Sequence, residues 1–326
     1  MSEVNQCSKL NENYRKHLNQ PKFYVKYKGV MLPKYFSKFG DKIEKMDIKT
    51  SDIWVCSFPR SGTTWTQEMV WCIVNDVNLE AAKEILPKRF PFLEISSICN
   101  DKETMSMYPG IEIPDYILNS VDYVINLQSP RLIKTHLPFK MLPIKLQQNT
   151  TGAKIVYVIR NPKDLCISYY HFSRAGGLTA TFDEYIDRFL YANGPYKPYW
   201  DHMLGYLNQS HNPNILLLRY EDMLKDLKTV IYKTAKFLGK NMKENQVEKL
   251  VDHLSFRNMK ENRFVNYDML LEERKKCNIA DTDASLIRCG KLNQWKEVMS
   301  LESIEKFEKW EKENLNRIGL SQYNDV

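Results

Sequence analysis

The stretch 57-SFPRSGTTW-65 follows the apolar run 53-IWVC-56 and leads into 63-TTWTQEMVWCIVND-76, which has helical periodicity. A strand, a tight turn at Gly62 and a helix start place free backbone N–H groups where an anion is favoured. The Arg60 guanidinium adds a charged donor. The stretch therefore predicts a phosphate- or sulfate-binding loop, although an ordinary helix N-cap is also rich in Ser and Thr. It lacks the Gly-Lys-Ser/Thr ending of nucleotide-triphosphatase loops.

Three further apolar runs predict strands like the one that precedes this loop. The predicted strands cover residues 53–58, 131–134, 154–160 and 214–219, and helices are predicted from Thr63 and over 164–172, 228–238, 245–253 and 301–318. Short apolar strands that alternate with helices are typical of a parallel sheet with both faces covered. We therefore predict a single α/β domain over residues 46–326. A lead-in over residues 1–45, irregular up to residue 30, is expected to pack on it.

Polar side chains come directly after each predicted strand. They are Arg60, His136, Arg160 and Tyr220. In open α/β sheets the ligand lies beyond the carboxyl ends of the strands. These four side chains are therefore expected to face one ligand site.

Composition excludes several classes of function. Lys and Arg exceed Asp and Glu by 47 − 40 = 7, and the excess is spread along the chain, so no nucleic-acid partner is predicted. No apolar run is long enough to span a membrane, and the polar N-terminus does not resemble a signal peptide. Seven cysteines without paired spacing predict a reducing, cytoplasmic location. The histidines and cysteines show no zinc-type spacing, so no metal is predicted.

Five more segments accompany the loop in a fixed order: 130-PRLIKTHLP-138, 158-VIRNPKDLCISYYHF-172, 217-LLRYEDMLKDL-227, 254-LSFRNMKEN-262 and 288-RCGKLNQW-295. Together with 59-PRSGTTW-65 they resemble the motifs of cytosolic sulfotransferases, from about residue 50 to the C-terminus. The stretch 66-TQEMVWCIVNDVNLEAAK-83 resembles insect members, including the enzyme that dehydrates retinol. The resemblance implies sulfuryl transfer from 3′-phosphoadenosine 5′-phosphosulfate to a hydroxyl or amine, without a metal, in a fold with a P-loop-like phosphosulfate loop.

The resemblance also implies how the donor is held. Arg60 to Thr64 would hold its 5′-phosphosulfate, and Arg160 and Ser168 its 3′-phosphate, with Trp65 and Phe256 flanking the adenine. Taken alone, Trp65 would be read as core packing of its own helix. The implied donor-binding residues are Arg60, Ser61, Gly62, Thr63, Thr64, Trp65, Arg160, Ser168, Tyr220, Leu254, Ser255, Phe256, Met259, Ile287, Arg288, Cys289 and Gly290.

For catalysis, the resemblance implies His136 as the general base, with Lys134 and Arg60 stabilising charge. Alternation in an extended segment puts Lys134 and His136 on one face. A histidine in a purely structural role is the alternative reading. The acceptor is expected to be a small phenol, sterol or retinoid that lies against Phe92, Ile95, Phe172, Lys134 and His136, and ordinary core packing is the alternative for the apolar members.

The chain departs from the family pattern in three places that bear on function. Arg60 stands where lysine is usual, Cys289 replaces the lysine of Arg-Lys-Gly, and Asn293-Gln294 replaces Gly-Asp before Trp295. The cysteine is expected to weaken donor binding. In addition, the segment 296-KEVMSLESIE-305 matches the family's dimer motif only loosely, so that a homodimer through 296–305 is a weaker expectation.

Three other readings stay open on the sequence. A nucleotide kinase or triphosphatase would need the missing lysine and an acidic magnesium ligand. A non-catalytic protein could keep the donor pocket to sequester a small lipid or hormone. A dehydratase would use the same chemistry but lose the sulfate from its product.

Overall fold

Four parallel strands form the central sheet of the computed structural model, which describes residues 24–99, 113–175, 178–191, 194–267, 272 and 287–317. They lie in the order β4-β3-β5-β6. Their bounds are Ile53–Ser57 (β3), Leu132–Thr135 (β4), Lys154–Ile159 (β5) and Ile215–Arg219 (β6). Cys56 of β3 pairs with Thr135 of β4 and with Tyr157 of β5, so the carboxyl ends of the strands meet at one edge. The predicted α/β class with a parallel sheet is confirmed.

Sixteen helices are described around this sheet, many of them short. Their bounds are Gly40–Glu44 (α1), Thr63–Val74 (α2), Leu86–Arg89 (α3), Ser96–Cys99 (α4), Asp115–Leu118 (α5), Ser120–Asn126 (α6), Ile144–Gln147 (α7), Pro162–Ala175 (α8), Phe182–Tyr191 (α9), Tyr199–Leu207 (α10), Tyr220–Lys225 (α11), Leu227–Leu238 (α12), Glu244–His253 (α13), Phe256–Glu261 (α14), Trp295–Val298 (α15) and Leu301–Arg317 (α16). None of them is long and apolar enough to cross a membrane.

The strands bury side chains on both faces, which explains why their sequences are apolar without alternation. Trp54 and Cys56 of β3 face one hydrophobic core, and Ile53 and Val55 face the other. Helices α10 and α16 cover the first face, and α2, α12 and α13 cover the second. A buried ion pair closes the base of the sheet: Arg131, just before β4, donates from Nε to Asp52 Oδ1 at 2.8 Å.

A β-hairpin occupies part of the segment that was predicted to be irregular. Strands Tyr24–Tyr27 (β1) and Val30–Pro33 (β2) pair antiparallel. Lys28 and Gly29 both have positive φ, 47° and 81°, as a two-residue hairpin turn requires. The expectation of irregular structure was therefore wrong over residues 24–30, because only the short Lys-Gly turn signals the hairpin. Residues 1–23 and 318–326, which belong to the predicted lead-in and domain, lie outside the described residues.

The hairpin contacts the rest of the chain beyond the sheet. Met31 donates its N–H to the Lys197 carbonyl at 3.1 Å, and Tyr196 donates to the Met31 carbonyl at 2.6 Å. The ring of Tyr196 in turn lies 5.6 Å from that of His136, between centroids. The hairpin is therefore joined through one residue to the strand edge where the polar side chains gather.

Candidate active site

The loop between β3 and α2 has the backbone that its sequence predicts. Gly62 has a φ of 100°, and a Cβ at this position would lie 2.6 Å from Cδ2 of Tyr220, so only glycine fits. Arg60 also has a positive φ, 72°. Ser57 Oγ and Thr63 Oγ1 lie 2.6 Å apart and tie the end of the strand to the start of the helix. The first N–H groups of a helix have no acceptor within the helix itself, so those of α2 can donate to an anion in the turn.

His136 follows β4 directly, and its ring is fixed in one tautomer. Its Nδ1 lies 2.8 Å from the carbonyl oxygen of Ser57, which can only accept, so Nδ1 carries the hydrogen. In the neutral ring Nε2 then holds the lone pair. Burial, reinforced by the charge of Lys134, lowers the pKa of His136 well below its usual value. The imidazole is therefore neutral at physiological pH, with a free base at Nε2.

Lys134 lies on the same side of the chain as His136. Its Nζ is 4.4 Å from the ring centroid of Phe92, and the His136 ring is 5.1 Å from that centroid. Burial lowers the pKa of Lys134 to about 8, against an opposing contribution from Glu94. The ammonium group and the imidazole thus share one apolar wall, as alternation along the strand predicts.

Two arginines and a serine meet beside the loop. Arg60 donates from Nε to Ser168 Oγ at 3.3 Å, and Arg160 donates from Nη1 to the Arg60 carbonyl at 3.1 Å. The Arg60 guanidinium also lies 5.0 Å from the ring centroid of Phe172, and burial, followed by the Arg160 charge, lowers its pKa to about 10. Arg60 therefore stays charged at neutral pH. Arg160 and Ser168, eight residues apart, come together through Arg60.

An aromatic group lies next to these cations. Trp65 donates from Nε1 to the Leu254 carbonyl at 2.9 Å, and its ring meets Tyr220 edge-on at 5.7 Å between centroids. The Arg160 guanidinium lies 4.3 Å from the centroid of Tyr220. Trp65 is only half-buried, so the core reading of this residue does not account for it fully.

Phe256 and Gly290 approach each other on the same side of the molecule. Phe256 is 39% exposed, and a Cβ on Gly290 would lie 2.4 Å from its Cδ2 atom. Gly290 also has a φ of 62°, so glycine is favoured there both by the backbone conformation and by the space that Phe256 occupies. An exposed ring held by a glycine is suited to stacking on a flat ligand.

The segment that carries Arg288 is anchored by an acidic residue of α8. Asp164 accepts hydrogen bonds from the backbone N–H groups of Asn293, at 2.8 Å, and Trp295, at 3.2 Å. Arg288 itself is exposed and donates to the side chain of Gln294. Among the described residues, Arg288 makes no contact with Arg160 or Ser168. That these three residues form one 3′-phosphate pocket therefore stays a prediction.

The other predicted site residues lie around these groups. Ser255 caps α14 by accepting from Asn258 N at 3.3 Å, which is the ordinary structural role of a serine there. Met259 and Leu254 are buried in the second core, and Ile287 packs against it. The remaining predicted residues differ in exposure: Ser61 is buried, Thr64, Ile95 and Cys289 are half-buried, and Phe172 is exposed.

A buried carboxylate that was not predicted as a site residue lies behind the turn that carries His136. Glu94 accepts hydrogen bonds from the His136 N–H and from Thr135 Oγ1, both at 2.7 Å. His202 of α10 is a second such residue, since its Nε2 lies 2.9 Å from the His136 carbonyl and donates to it. Glu94 lies two residues after Phe92 in 91-PFLE-94, so its place beside a predicted acceptor residue was an available signal. Nothing local in the sequence marks His202.

Among the described residues, one group of side chains elsewhere has atoms close enough together for a metal. The ligand atoms of Glu68, Cys72 and His253 lie within 4.8 Å of one another. However, Arg89 Nη2 lies 2.5 Å from Glu68 Oε2, and His253 Nε2 lies 2.7 Å from Oε1. Both carboxylate oxygens are engaged and a guanidinium already balances the charge, so we read this group as an ion-pair network that joins α2, α3 and α13.

Comparison with known proteins gives one consistent family. A family model described as a sulfotransferase domain matches residues 50–319. The luciferin sulfotransferase of Photinus pyralis is 42% identical over 282 residues, which are 86% of this chain and 76% of that protein. Sulfotransferase 1 family member D1 of Rattus norvegicus is 32% identical over 288 residues, covering 87% and 90% of the two chains.

Solved structures agree with these sequence matches. A retinol dehydratase in complex with retinol and PAP has a TM-score of 0.80 and 32% identity, over 97% of this chain and 95% of that one. The same kind of enzyme in complex with androsterone and the inactive cofactor PAP also has a TM-score of 0.80, over 96% and 94%. The residues of the candidate site lie within residues 50–319, which the family model matches.

Proposed function

This chain belongs to the sulfotransferase family, and we propose that it transfers a sulfuryl group from 3′-phosphoadenosine 5′-phosphosulfate to a hydroxyl of a small apolar acceptor. The predicted family and enzyme class are confirmed, including the likeness to an insect enzyme. The observation that carries the proposal is the pairing of a free imidazole base at His136 with the Lys134 ammonium, beside an anion loop.

The donor site is supported by an unused hydrogen-bond donor. Arg160 is buried, and its Nε has no hydrogen-bond partner among the described residues. A buried guanidinium nitrogen in that state costs free energy unless a ligand engages it. A phosphate group would do so bidentately. The Phe256 ring over Gly290 and the Trp65–Tyr220 pair offer flat surfaces for the adenine.

Each residue of the catalytic group has a distinct task. When bound, the donor supplies an activated sulfuryl group. His136 accepts the acceptor's proton at Nε2, which is possible only because Ser57 holds the hydrogen on Nδ1. Lys134 and Arg60 stabilise negative charge by position and fixed charge. Lys134, with a pKa of about 8, gives up a proton more readily than Arg60, with a pKa of about 10, so we assign Arg60 hydrogen bonding and fixed charge rather than acid catalysis.

The acceptor would lie against an aromatic wall. Phe92 contacts both Lys134 and His136, and the ring of Tyr196 also meets the imidazole edge-on. Phe172 is exposed beside Arg60 and can contribute a further ring. Such a site favours a planar alcohol or phenol whose hydroxyl reaches Nε2 while its rings stay in apolar surroundings. Ile95 would extend this wall.

A second candidate function keeps the donor chemistry but eliminates the sulfate. The likeness to retinol dehydratase over 97% of the chain favours it, whereas the higher identity to a luciferin sulfotransferase favours simple transfer. Product analysis by mass spectrometry separates the two, because transfer gives an added sulfate and dehydration gives a loss of water.

Two measurements test the proposed function itself. Adenosine 3′,5′-bisphosphate should raise the melting temperature, and ATP with magnesium should not, which distinguishes this site from that of a kinase. Purified protein should then convert labelled donor with some member of a panel of phenols, sterols, retinoids and amines. Binding without turnover on the whole panel would favour a protein that only sequesters its ligand.

We also propose that this protein is cytoplasmic and that it forms a homodimer through residues 296–305. Cys56, Cys72, Cys166 and Cys289 are free thiols, which suits a reducing compartment. Val298 and Leu301, at the junction of α15 and α16, are 51% and 80% exposed, so apolar surface is available there. Sedimentation of the wild type and of a Leu301→Lys variant tests the dimer: a monomeric wild type would reject it.

A further inference from the structure

Within the part of the chain that the structure describes, Glu94 is the one acidic side chain that accepts hydrogen bonds from Thr135 and His136. We propose that Glu94 is a positioning residue of the transfer site: its carboxylate fixes the turn that carries His136 and holds Lys134 in its charged form. This inference rests on the proposed function, because it assigns Glu94 a role through His136 and Lys134 and no contact with the substrate.

The Glu94 carboxylate holds the turn through hydrogen bonds from two of its residues. Glu94 is 1% exposed, and its two oxygens accept from different donors of one turn, the His136 N–H and the Thr135 hydroxyl, each at 2.7 Å. Thr135 Oγ1 accepts in turn from the Leu137 N–H at 3.1 Å. Glu94 thus holds Thr135 and His136 directly, and Leu137 through Thr135, just where β4 ends.

The backbone around Glu94 is held to the same strand. Leu93 donates its N–H to the Lys134 carbonyl at 2.9 Å, and Lys134 donates its N–H to the Pro91 carbonyl at 2.9 Å. The segment before Glu94 is therefore an added edge of the sheet, paired with β4. Because the anchor and the anchored turn belong to one hydrogen-bonded unit, the carboxylate cannot drift relative to His136.

The charge of Glu94 also acts on Lys134. The pKa of Lys134 is about 8, because burial lowers it, the Glu94 charge opposes this and the Arg60 charge adds a smaller lowering. Burial in turn raises the pKa of Glu94 to about 7, against its hydrogen bonds from His136 and Thr135 and the Lys134 charge. Lys134 therefore depends on ionised Glu94 to remain an ammonium near pH 8. The titratable side chains that face this pair are Arg60, His136, Cys56, Tyr196 and Tyr206.

The expected pH dependence of a Glu94 variant follows from the effect of Glu94 on the pKa of Lys134. The Glu94 charge raises the pKa of Lys134, so replacing Glu94 by glutamine lowers that pKa and brings the loss of the ammonium to a lower pH. Activity that needs the ammonium then falls at lower pH than in the wild type. Above the new pKa, each unit of downward shift corresponds to about a tenfold lower fraction of charged lysine.

The experiment measures kcat against pH from 5.5 to 9.5 for wild type, Glu94→Gln and Thr135→Val. Glu94→Gln should show an alkaline limb at lower pH, so that its deficit widens from pH 6 to pH 9.5 and approaches about tenfold for each pKa unit that Lys134 loses. Thr135→Val removes two hydrogen bonds, the one to Glu94 and the one from the Leu137 N–H, but no charge, and should show a deficit that varies less with pH than that of Glu94→Gln. The exposed Glu80→Gln variant is the control that should match wild type.

Two outcomes would overturn the proposal. A Glu94→Gln deficit that is constant across pH would reduce Glu94 to a structural role, and an unchanged kcat would remove it altogether. Should Glu94→Gln fail to fold, Lys134→Arg tests the same point with Glu94 intact. Arginine stays charged over this range, so the alkaline limb should disappear; its persistence would mean that Lys134 does not cause it. A wild type without turnover would instead reject the proposed function and leave its adenosine 3′,5′-bisphosphate binding to be judged separately.

Discussion

The carbonyl oxygen of Ser57 accepts a hydrogen bond from His136 Nδ1 at 2.8 Å, which links the end of β3 to the residue that follows β4. The two strands are neighbours in the sheet, so the register of the sheet decides which imidazole nitrogen is free. A general base needs its lone pair directed at the substrate, and here the fold itself supplies that selection.

Replacement of His136 by alanine is expected to abolish turnover, with a fall in kcat of about 10²–10⁴-fold, because proton removal from the acceptor is lost. Adenosine 3′,5′-bisphosphate binding should stay within about threefold of wild type, since no described contact of His136 reaches the arginine cluster. Calorimetry and initial rates check the two quantities. The exposed His211→Ala variant is the control, and substantial residual turnover would reject His136 as the base.

Variants of Arg60 separate fixed charge from shape. Arg60→Lys is expected to retain substantial activity because it keeps the cation, although it loses the fork that reaches Ser168 at 3.3 Å. Arg60→Ala should lower kcat by about 10²–10³-fold, as loss of one preorganised donor to a developing charge typically does. Steady-state kinetics at saturating donor decide the matter, and equal rates for wild type and the alanine variant would take Arg60 out of the mechanism.

A methyl group on Gly290 should damage the proposed adenine surface. The Cβ of Gly290→Ala would lie 2.4 Å from Phe256 Cδ2, and the backbone φ of 62° disfavours a side chain. We expect a rise of about tenfold in the dissociation constant of adenosine 3′,5′-bisphosphate, equivalent to about 1.4 kcal/mol. Gly194→Ala is the matched control, because its Cβ would meet nothing nearer than 3.6 Å. Equal affinity in both variants would place the adenine elsewhere.

Cys289 offers a test in which function should improve. The thiol is half-buried and free, beside Arg288, in a position where the family pattern has lysine. Cys289→Lys adds a cation that can reach a phosphate, so the donor dissociation constant should fall by about three- to tenfold. Cys289→Ser is the control for loss of the thiol alone. An unchanged or higher constant in calorimetry for Cys289→Lys would show that this backbone position does not face the 3′-phosphate.

Much of this architecture was predictable because it depends on local patterns. The strands of the sheet begin and end within two residues of their predicted bounds, since fully buried strands are marked by their apolar runs. Likewise, Lys134 and His136 share a face by alternation alone. What the sequence did not reveal depends on packing between distant segments. Glu94 becomes the anchor of the His136 turn only through pairing of its segment with β4, and His202 reaches that turn from a helix 66 residues further along the chain.

A buried ion pair between Asp52 and Arg131 stabilises the end of the sheet that lies opposite the site. Asp52 and Arg131 are 0% and 2% exposed, and Arg131 also donates to the Asp47 carbonyl at 2.8 Å, so the pair closes the amino ends of β3 and β4. Asp52→Asn leaves the guanidinium buried without a counter-charge and should lower the free energy of unfolding by about 3–5 kcal/mol. The exposed pair of Lys83 and Glu80 supplies the comparison, because Glu80→Gln should change it by less than about 1 kcal/mol. Urea unfolding followed by circular dichroism measures both, and similar midpoints for the two variants would mean that solvent reaches Arg131 and that the β3–β4 edge opens readily.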